Sequence, residues 1–406
     1  MDLRPVTADE LEAFVAATQG AFHKDVHAED LEEERRLFEP ARSLAVFDGR
    51  EIVATSGIYT RELTVPGGVV TAAAVTAVGV RPTHRRRGLL SRLMRRQLDD
   101  VRAAGEPVAA LWASEPAIYG RFGYGLASFH ADVRLHTPGA RLHPRAPAPD
   151  GRTLLLDPGA AVARIAPLYD AVRRARPGHL DRPERWWRHR VYDPEHERAG
   201  YGALRAAVHE APGGAVDGYA LYRVKHGEWI EGPDATVAVG ELVADGPAAT
   251  AALWAFLLGL DLTRTIEWWW AAADEPLFEL LAGPHRPQTA LAPNLWIRLV
   301  DVGAALAART YAAPVGVVLE VADELCPWNA GRWRLEGDDT GAACARTDAP
   351  ADLGISVADL GAVYLGGRSL DALAAAGRVD ERSDGALRRA TAAFRGPREP
   401  LCPEIF

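Results

Sequence analysis

Val78-Gly79-Val80-Arg81-Pro82-Thr83-His84-Arg85-Arg86-Arg87-Gly88-Leu89-Leu90 joins a β-branched strand to an amphipathic helix through an arginine-rich turn. Upstream, Thr71 to Val80 is small and β-branched, with Val78 and Val80 on one face of a strand and Gly79 on the other. Downstream, Leu90, Leu93, Met94, Gln97 and Val101 recur at helical spacing, and Ala103-Ala104-Gly105 supplies a C-terminal stop. The first turn of that helix therefore falls at the arginines. Unpaired amides at a helix N-terminus, reinforced by the helix dipole, bind phosphate oxygens, and Gly88 lets the main chain approach a ligand closely. A basic run alone is ordinarily a solvated surface feature. Strand, glycine and helix in this order point instead to a phosphorylated ligand.

The next segments extend the pattern. A strand over Pro107 to Ala113 leads to Ser114-Glu115-Pro116, a helix-start signal, and then to Ile118-Tyr119-Gly120-Arg121-Phe122-Gly123-Tyr124. Arg85 to Leu90 resembles the Arg/Gln-x-x-Gly-x-Gly/Ala acetyl-CoA loop of GNAT-type N-acetyltransferases, with Leu90 in place of the final small residue. Ile118 to Tyr124 resembles the GNAT Phe-Tyr-x-x-x-Gly-Phe segment, with Tyr119 at the tyrosine position. Within that superfamily, Thr76-Ala77-Val78-Gly79-Val80, Pro82 to Leu90, Leu111-Trp112-Ala113-Ser114-Glu115 and Ile118 to Gly125 are similar to the Eis (enhanced intracellular survival) family of aminoglycoside acetyltransferases.

That resemblance implies an α+β chain of two tandem GNAT-like domains, with mixed sheets flanked by helices, followed by a sterol-carrier-protein-like α/β domain. The expected segments are 1–137, catalytic; 152–284, GNAT-like without a cofactor loop; and 293–406, ending in a carboxylate strap. It also implies acetyl-CoA as cosubstrate, contacted by Val78, Gly79, Val80, Arg86, Arg87, Gly88, Leu89, Leu90, Ser91, Ser114 and Glu115. Tyr119 would be the proton donor, the α-carboxylate of Phe406 the proton acceptor, and the assembly a homohexamer.

Composition bounds the rest. The 406 residues, 48% of them hydrophobic, are enough for two or three domains. No long uncharged apolar run marks a membrane span, and Met1-Asp2-Leu3-Arg4-Pro5 lacks the order of a secretion signal. The three cysteines, Cys326, Cys344 and Cys402, lack metal-site spacing, so a reducing cytoplasm and no metal are expected. A formal charge of −9 disfavours general nucleic-acid binding and favours a small cationic amine as acceptor.

Two irregular stretches mark boundaries: His136 to Gly151, with four prolines, and Gly283 to Asn294. Between them, strand-like runs at Gly218 to Val224 and Thr236 to Val243, a helix-like run from Pro247 to Leu260 and the segment Thr265 to Ala272 repeat a strand-helix-strand order. Here the turn Val243-Ala244-Asp245-Gly246-Pro247 carries an aspartate and no arginine, so a phosphate meets the wrong charge and this segment should be silent. Trp268-Trp269-Trp270 should be buried on both faces of its strand. Strands are also expected at Val315 to Val321 and Trp333 to Glu336.

Acetyl transfer to an amine needs a neutral amine, a polarised carbonyl and a proton for the departing thiolate. A phenol of pKa about 10 is a sensible donor to a thiol of about 8.5, which favours Tyr119; Tyr124 is assigned to packing. A free α-carboxylate, at about 3.3–3.7, is a poor base unless desolvated, so Phe406 suits a water relay or positioning of a cation. The tail Pro397 to Phe406, with three prolines, reads as an extended strap. Among the acidic residues Asp25, Glu29, Asp30, Glu32, Glu33 and Glu34, most belong to a solvated helix face. Asp25 is the candidate for the acceptor's cations, with Phe22 as an apolar wall, and a roomy acidic cleft would allow acetylation at several amines. Competing readings are a protein-lysine or polyamine acetyltransferase, a lipid- or protein-binding scaffold with inert GNAT halves, and a nucleic-acid binder using Arg85 to Arg87. The intact loop and Tyr119 argue against the scaffold; the nucleic-acid binder predicts steep salt dependence of DNA affinity and no thioester turnover.

Overall fold

The computed structural model describes residues 1–227, 232–283 and 286–406; Pro284 and His285, within the expected boundary Gly283 to Asn294, lie outside the described residues. Residues 1–128 supply β1 (Asp2–Pro5), α1 (Leu11–Ala21), α2 (Ala28–Leu37), β2 (Leu44–Asp48), β3 (Glu51–Val65), β4 (Gly68–Val80), α3 (Leu89–Ala103), β5 (Val108–Trp112), α4 (Pro116–Tyr119) and β6 (Gly125–Leu126). Residues 129–293 supply β7 (Phe129–His136), β8 (Arg152–Leu156), α5 (Pro158–Arg173), α6 (Glu184–Arg190), β9 (Arg205–Glu210), β10 (Val216–Lys225), β11 (Ala235–Ala244), α7 (Pro247–Leu258), β12 (Thr263–Ala271), α8 (Leu277–Leu280) and β13 (Pro287–Pro293). The remainder forms β14 (Leu295–Leu299), α9 (Val302–Ala307), β15 (Val315–Ala322), β16 (Gly331–Gly337), β17 (Ala342–Arg346), β18 (Leu353–Ser356), α10 (Val357–Val363), α11 (Leu370–Ala375), β19 (Val379–Glu381) and α12 (Ala386–Phe394).

These elements build three mixed sheets, ordered β1-β2-β3-β4-β5-β14-β6, β13-β7-β12-β11-β10-β9-β8, and β17-β16-β15-β18-β19. The chain divides into two compact units, the first holding residues 1–128, 176–180 and 294–406, the second 129–175 and 181–293. The expected first segment, 1–137, thus includes the residues of β7, which pairs in the second sheet, with β12 and β13. Likewise β14, assigned to the third segment, completes the first sheet, where Leu295 to Leu299 pair antiparallel with Trp112 to Val108. The stretch read as a boundary, Gly283 to Asn294, contains a true strand, since Pro287 to Pro293 pair with Leu135 to Phe129. Its prolines begin and end an edge strand, where a missing N–H costs no ladder bond.

In the first unit α3 covers the sheet with Leu89, Leu93, Met94, Gln97, Leu98 and Val101 buried; of the expected face Leu90 is only half-buried, and Leu89 and Leu98 join it. Around the third sheet, Arg309 is 1% exposed and donates to the carbonyl of Thr310 and to those of Tyr364 and Phe394, at the C-terminal ends of α10 and α12. A cation there complements two helix dipoles. Residues 395–406 form no helix or strand, as expected of a strap, yet Leu401, Cys402 and Glu404 are buried. Arg61 pairs with Glu404 at 2.8 Å, Asn294 Nδ2 donates to Cys402 O at 3.0 Å, and Leu401 N donates to Pro177 O at 2.9 Å. In the second unit the tryptophan run departs from expectation: Trp268 is 4% exposed but Trp269 is 51% exposed, because successive side chains of β12 face opposite sides and one side is open.

Candidate active site

The site is made by a defect in β4. Thr55 of β3 faces Gly79 and Gly57 faces Thr76, so Ala77 and Val78 oppose the single residue Ser56. Such a bulge twists its strand and re-aims it. Ala77 takes φ 52°, and its carbonyl accepts a hydrogen bond from Thr55 Oγ1 at 2.8 Å, which holds the bulge in place. On its other edge β4 pairs parallel with β5 only from Ala72 to Val75, while it continues to Val80. The backbone edge from Thr76 to Val80 is thereby left for a ligand rather than for a strand. Gly79 is required there, since a Cβ would stand 2.8 Å from that of Ala21 on α1.

Beyond Val80 the chain turns through Pro82–His84 and enters α3 with Arg86 at φ 62° and Gly88 at φ 76°. A left-handed arginine costs roughly 1–2 kcal/mol, a strain of the kind that collects at binding loops. No side chain caps α3, and its first bond runs from Arg92 N to Gly88 O at 3.1 Å. The amides of Leu89, Leu90 and Ser91 thus form an open first turn of a fifteen-residue helix. Arg87 faces away from this mouth: its Nη2 donates to Thr83 O at 3.1 Å and ties the loop to itself.

A cleft of about 620 Å³ joins these features. Of the residues expected to contact acetyl-CoA, Val78, Gly79, Val80, Arg86, Gly88, Leu89, Leu90, Ser91, Ser114 and Glu115 line it, and Arg87 does not. Tyr119 and Phe22 line it too. Asp25 and Phe406 do not; Asp25 sits exposed between α1 and α2, and Phe406 packs, half-buried, on the core cluster against which Trp112 also packs. Most of the acidic run lies on α2 as a solvated face, except Glu33, which is 4% exposed and pairs with Arg36 at 2.5 Å.

Sequence reasoning missed Ala21, His23, His84, Arg85, Ile118 and Arg121 as lining residues. His84 and Arg85 sat inside the quoted motif and were legible as cations near a phosphate loop. His23, at φ 59° just past the end of α1, had no local signal, because it reaches the cleft only through the packing of α1.

Tyr119 ends α4, 6% exposed, its ring edge-on to that of Tyr124 at 6.0 Å. Burial, with the Glu115 carboxylate adding to it, pushes its phenol up to about 12. It is therefore neutral at any physiological pH and carries a proton to donate. Tyr124 is 1% exposed within the core, consistent with packing. The fit to coenzyme A is favourable on three grounds: an uncapped helix turn with two arginines for a diphosphate, an unpaired strand edge for an amide-bearing arm, and a neutral phenol in the lining.

Comparison with known proteins agrees with the geometry. Residues 2–127 and 178–299 each match an acetyltransferase (GNAT) domain family, and 302–403 match a sterol carrier protein domain. The molecule is an acetyl-CoA-dependent N-acetyltransferase with two GNAT domains and a sterol-carrier-like domain. It is 46% identical to an uncharacterized N-acetyltransferase of Streptomyces avermitilis over 379 residues, 92% of each chain. It is 37% identical to N-acetyltransferase Eis of Mycobacterium tuberculosis, covering 85% of this chain and 84% of that one. The crystal structure of Eis1 from Mycobacterium abscessus matches with a TM-score of 0.87 at 37% identity over the whole of both chains. The chain belongs to the Eis family. Among the described residues no helix is long and apolar enough to cross a membrane.

Proposed function

We propose that the cleft beside β4 transfers an acetyl group to amines of an aminoglycoside-type polycation, at more than one position. Acetyl-CoA supplies the activated acyl group. The amides of Leu89 to Ser91 and the side chains of Arg85 and Arg86 hold its diphosphate, and the Thr76–Val80 edge aligns the arm that carries the thioester. Arg87 serves through its backbone and by bracing the loop. Tyr119 donates its phenolic proton toward the sulfur. With the phenol at about 12 and a free thiol near 8.5, full transfer to sulfur is uphill, so Tyr119 acts first as a hydrogen-bond donor to the charge that develops on the departing sulfur.

On the acceptor side, Phe22 offers an apolar wall, Asp25 an electrostatic lure at the rim, and the net charge of −9 long-range attraction. The α-carboxylate of Phe406 takes the amine's proton through water, a role that rests on the family resemblance and on the strap's anchoring by Arg61 and Asn294. The three segments act as a catalytic GNAT domain, a silent GNAT-like domain and a sterol-carrier-like domain, in a cytoplasmic homohexamer.

The observation that carries this reading is the gathering of Val78–Val80, the α3 N-terminus and Tyr119 around one volume. Its test is a thiol-reporter assay with acetyl-CoA and either kanamycin, spermidine or a lysine peptide. Release of more than one equivalent of CoA per kanamycin, with little release from the other two, is expected. Preference for the peptide or spermidine would replace the acceptor class. Two glycines appended after Phe406 should abolish proton acceptance; full activity in that variant removes the carboxylate from the mechanism.

A further inference from the structure

The turn that follows Tyr119 is closed by Gly123, at φ 81°, whose N–H donates to Gly120 O at 3.0 Å, while Tyr124 N–H returns to Tyr119 O at 3.3 Å. Directly under Gly123 lies the guanidinium of Arg298: a Cβ on that glycine would stand 2.7 Å from Cζ and 2.8 Å from Nε. Arg298 comes from β14, the strand inserted between β5 and β6, and is wholly buried. A buried cation needs a counter-charge, and this one has Asp323, 2.7 Å from Nη2.

Asp323 follows β15, in the sterol-carrier-like segment. Its second oxygen accepts from Cys326 N at 3.0 Å, and Asn329 Nδ2 donates to the first at 3.1 Å and to Leu299 O and Val300 O at 3.2 and 3.1 Å. Cys326 packs in the same cluster as Tyr119 and Tyr124. Packed charge, glycine and turn thus form one rigid chain of contacts from residues 323–329 to the end of α4. The Nε of Arg298 and the hydroxyl of Tyr124 are both buried without a hydrogen-bond partner.

We propose that the Arg298–Asp323 pair is a positioning device for Tyr119, and that the sterol-carrier-like segment is by this route a working part of the acetyl-transfer site. The guanidinium is the floor on which Gly123 rests; it sets where the turn ends and so where the Tyr119 hydroxyl stands in the cleft. Arg298 touches neither cosubstrate nor acceptor. Its effect passes through Tyr119 and rests on the proton-donor reading given above.

The test is a double-mutant cycle on the full chain. Arg298→Met keeps the volume of the stem and removes the charge and the flat surface; Asp323→Asn keeps an acceptor for Cys326 N and removes the counter-charge; Gly123→Ala keeps both charges and forces the turn and the guanidinium apart. Each is measured for kcat, KM for acetyl-CoA, and thermal unfolding, with rates referred to folded protein. The expected result is a fall in kcat of roughly ten- to a hundredfold with KM within about threefold, as for a displaced catalytic group. In a Tyr119→Phe background the same substitutions should lower kcat by less than about twofold, since the group they place is gone.

A fall of undiminished size in that background overturns the proposal, as does unaltered kcat in any folded variant of the three. A Tyr119→Phe enzyme with undiminished kcat defeats the donor reading itself, which separates the two failures. Should Arg298→Met fail to fold, Asp323→Asn and Gly123→Ala carry the same cycle.

Discussion

In the first unit β4 leaves β5 after Val75 and carries its bulge at Ala77 and Val78; in the second, β11 pairs with β12 as far as Val239 and carries its bulge at Gly240, opposite the Leu221–Tyr222 step of β10. The backbone makes the same opening twice. What fills it differs. The first opening is a cleft with Arg85 and Arg86 at its mouth. At the second, Arg190 Nη2 donates to Gly240 O at 2.8 Å, and Glu241 takes Arg182 at 2.8 Å, Arg190 at 2.7 Å and the Tyr219 hydroxyl at 2.9 Å.

The turns that follow differ in the same sense. In the first, Gly88 precedes three residues with open amides, whereas in the second Asp245 N–H is spent on Asp217 O at 2.7 Å and Pro247 at the helix start has no N–H at all. A strand bulge makes a binding site only where the protein's own side chains stay out of it and the next helix offers free donors.

The largest effect expected from this contrast is on stability. Arg182→Met strands half of a buried, doubly bonded carboxylate pair and should cost about 3–5 kcal/mol in denaturant unfolding, with one acetyl-CoA still bound per folded chain. A gain of a second binding event would show that the plug alone keeps the second opening empty.

Next comes Tyr119→Phe, for which kcat should fall by about a hundredfold or more while acetyl-CoA binding, read by calorimetry, is retained. Gly88→Asp should then weaken acetyl-CoA binding by at least about tenfold, through both a strained φ and a carboxylate placed at the diphosphate. Its counterpart Gly246→Ala, at φ 104°, should lower stability slightly and leave that affinity alone; equal losses of affinity in both would erase the distinction.

The smallest effects are in pH. Arg182 and Arg190 overcome the desolvation of the Glu241 carboxyl and hold it down at about 2. A depressed carboxylate stabilises the fold above its unfolded value near 4.5, and that contribution is lost as pH falls from there toward 2. The acid-unfolding curve of Glu241→Gln should lack this component. For Tyr119, raised to about 12, no loss of kcat/KM from its ionisation should occur below about pH 10, so the rate climbs with pH as the acceptor amine loses its proton.

Much of the site was legible because its chemistry is local. Strand, left-handed glycine and amphipathic helix lie within residues 71–103, and each is dictated by side-chain period or by φ. The second segment is expected to be silent because its turn carries Asp245 and no arginine; the bond from Arg190 to Gly240 O, which occupies the corresponding opening, gave no local sign. Trp269 was misjudged because alternation says that two faces exist and says nothing about which is covered. The side chain of Arg87 bonds back to Thr83 O and does not line the cleft, a distinction among three adjacent arginines that the motif does not encode.

By itself the sequence determined where a helix N-terminus meets clustered arginines, because helix ends, turn glycines and clustered charge act over a few residues. Tertiary structure alone decided that residues 295–299 enter the first sheet and that Arg298 comes to lie under Gly123. Strand pairing across more than a hundred and fifty residues depends on which edge is free once the rest has folded, and an alternating pattern of apolar residues fits any such edge equally well.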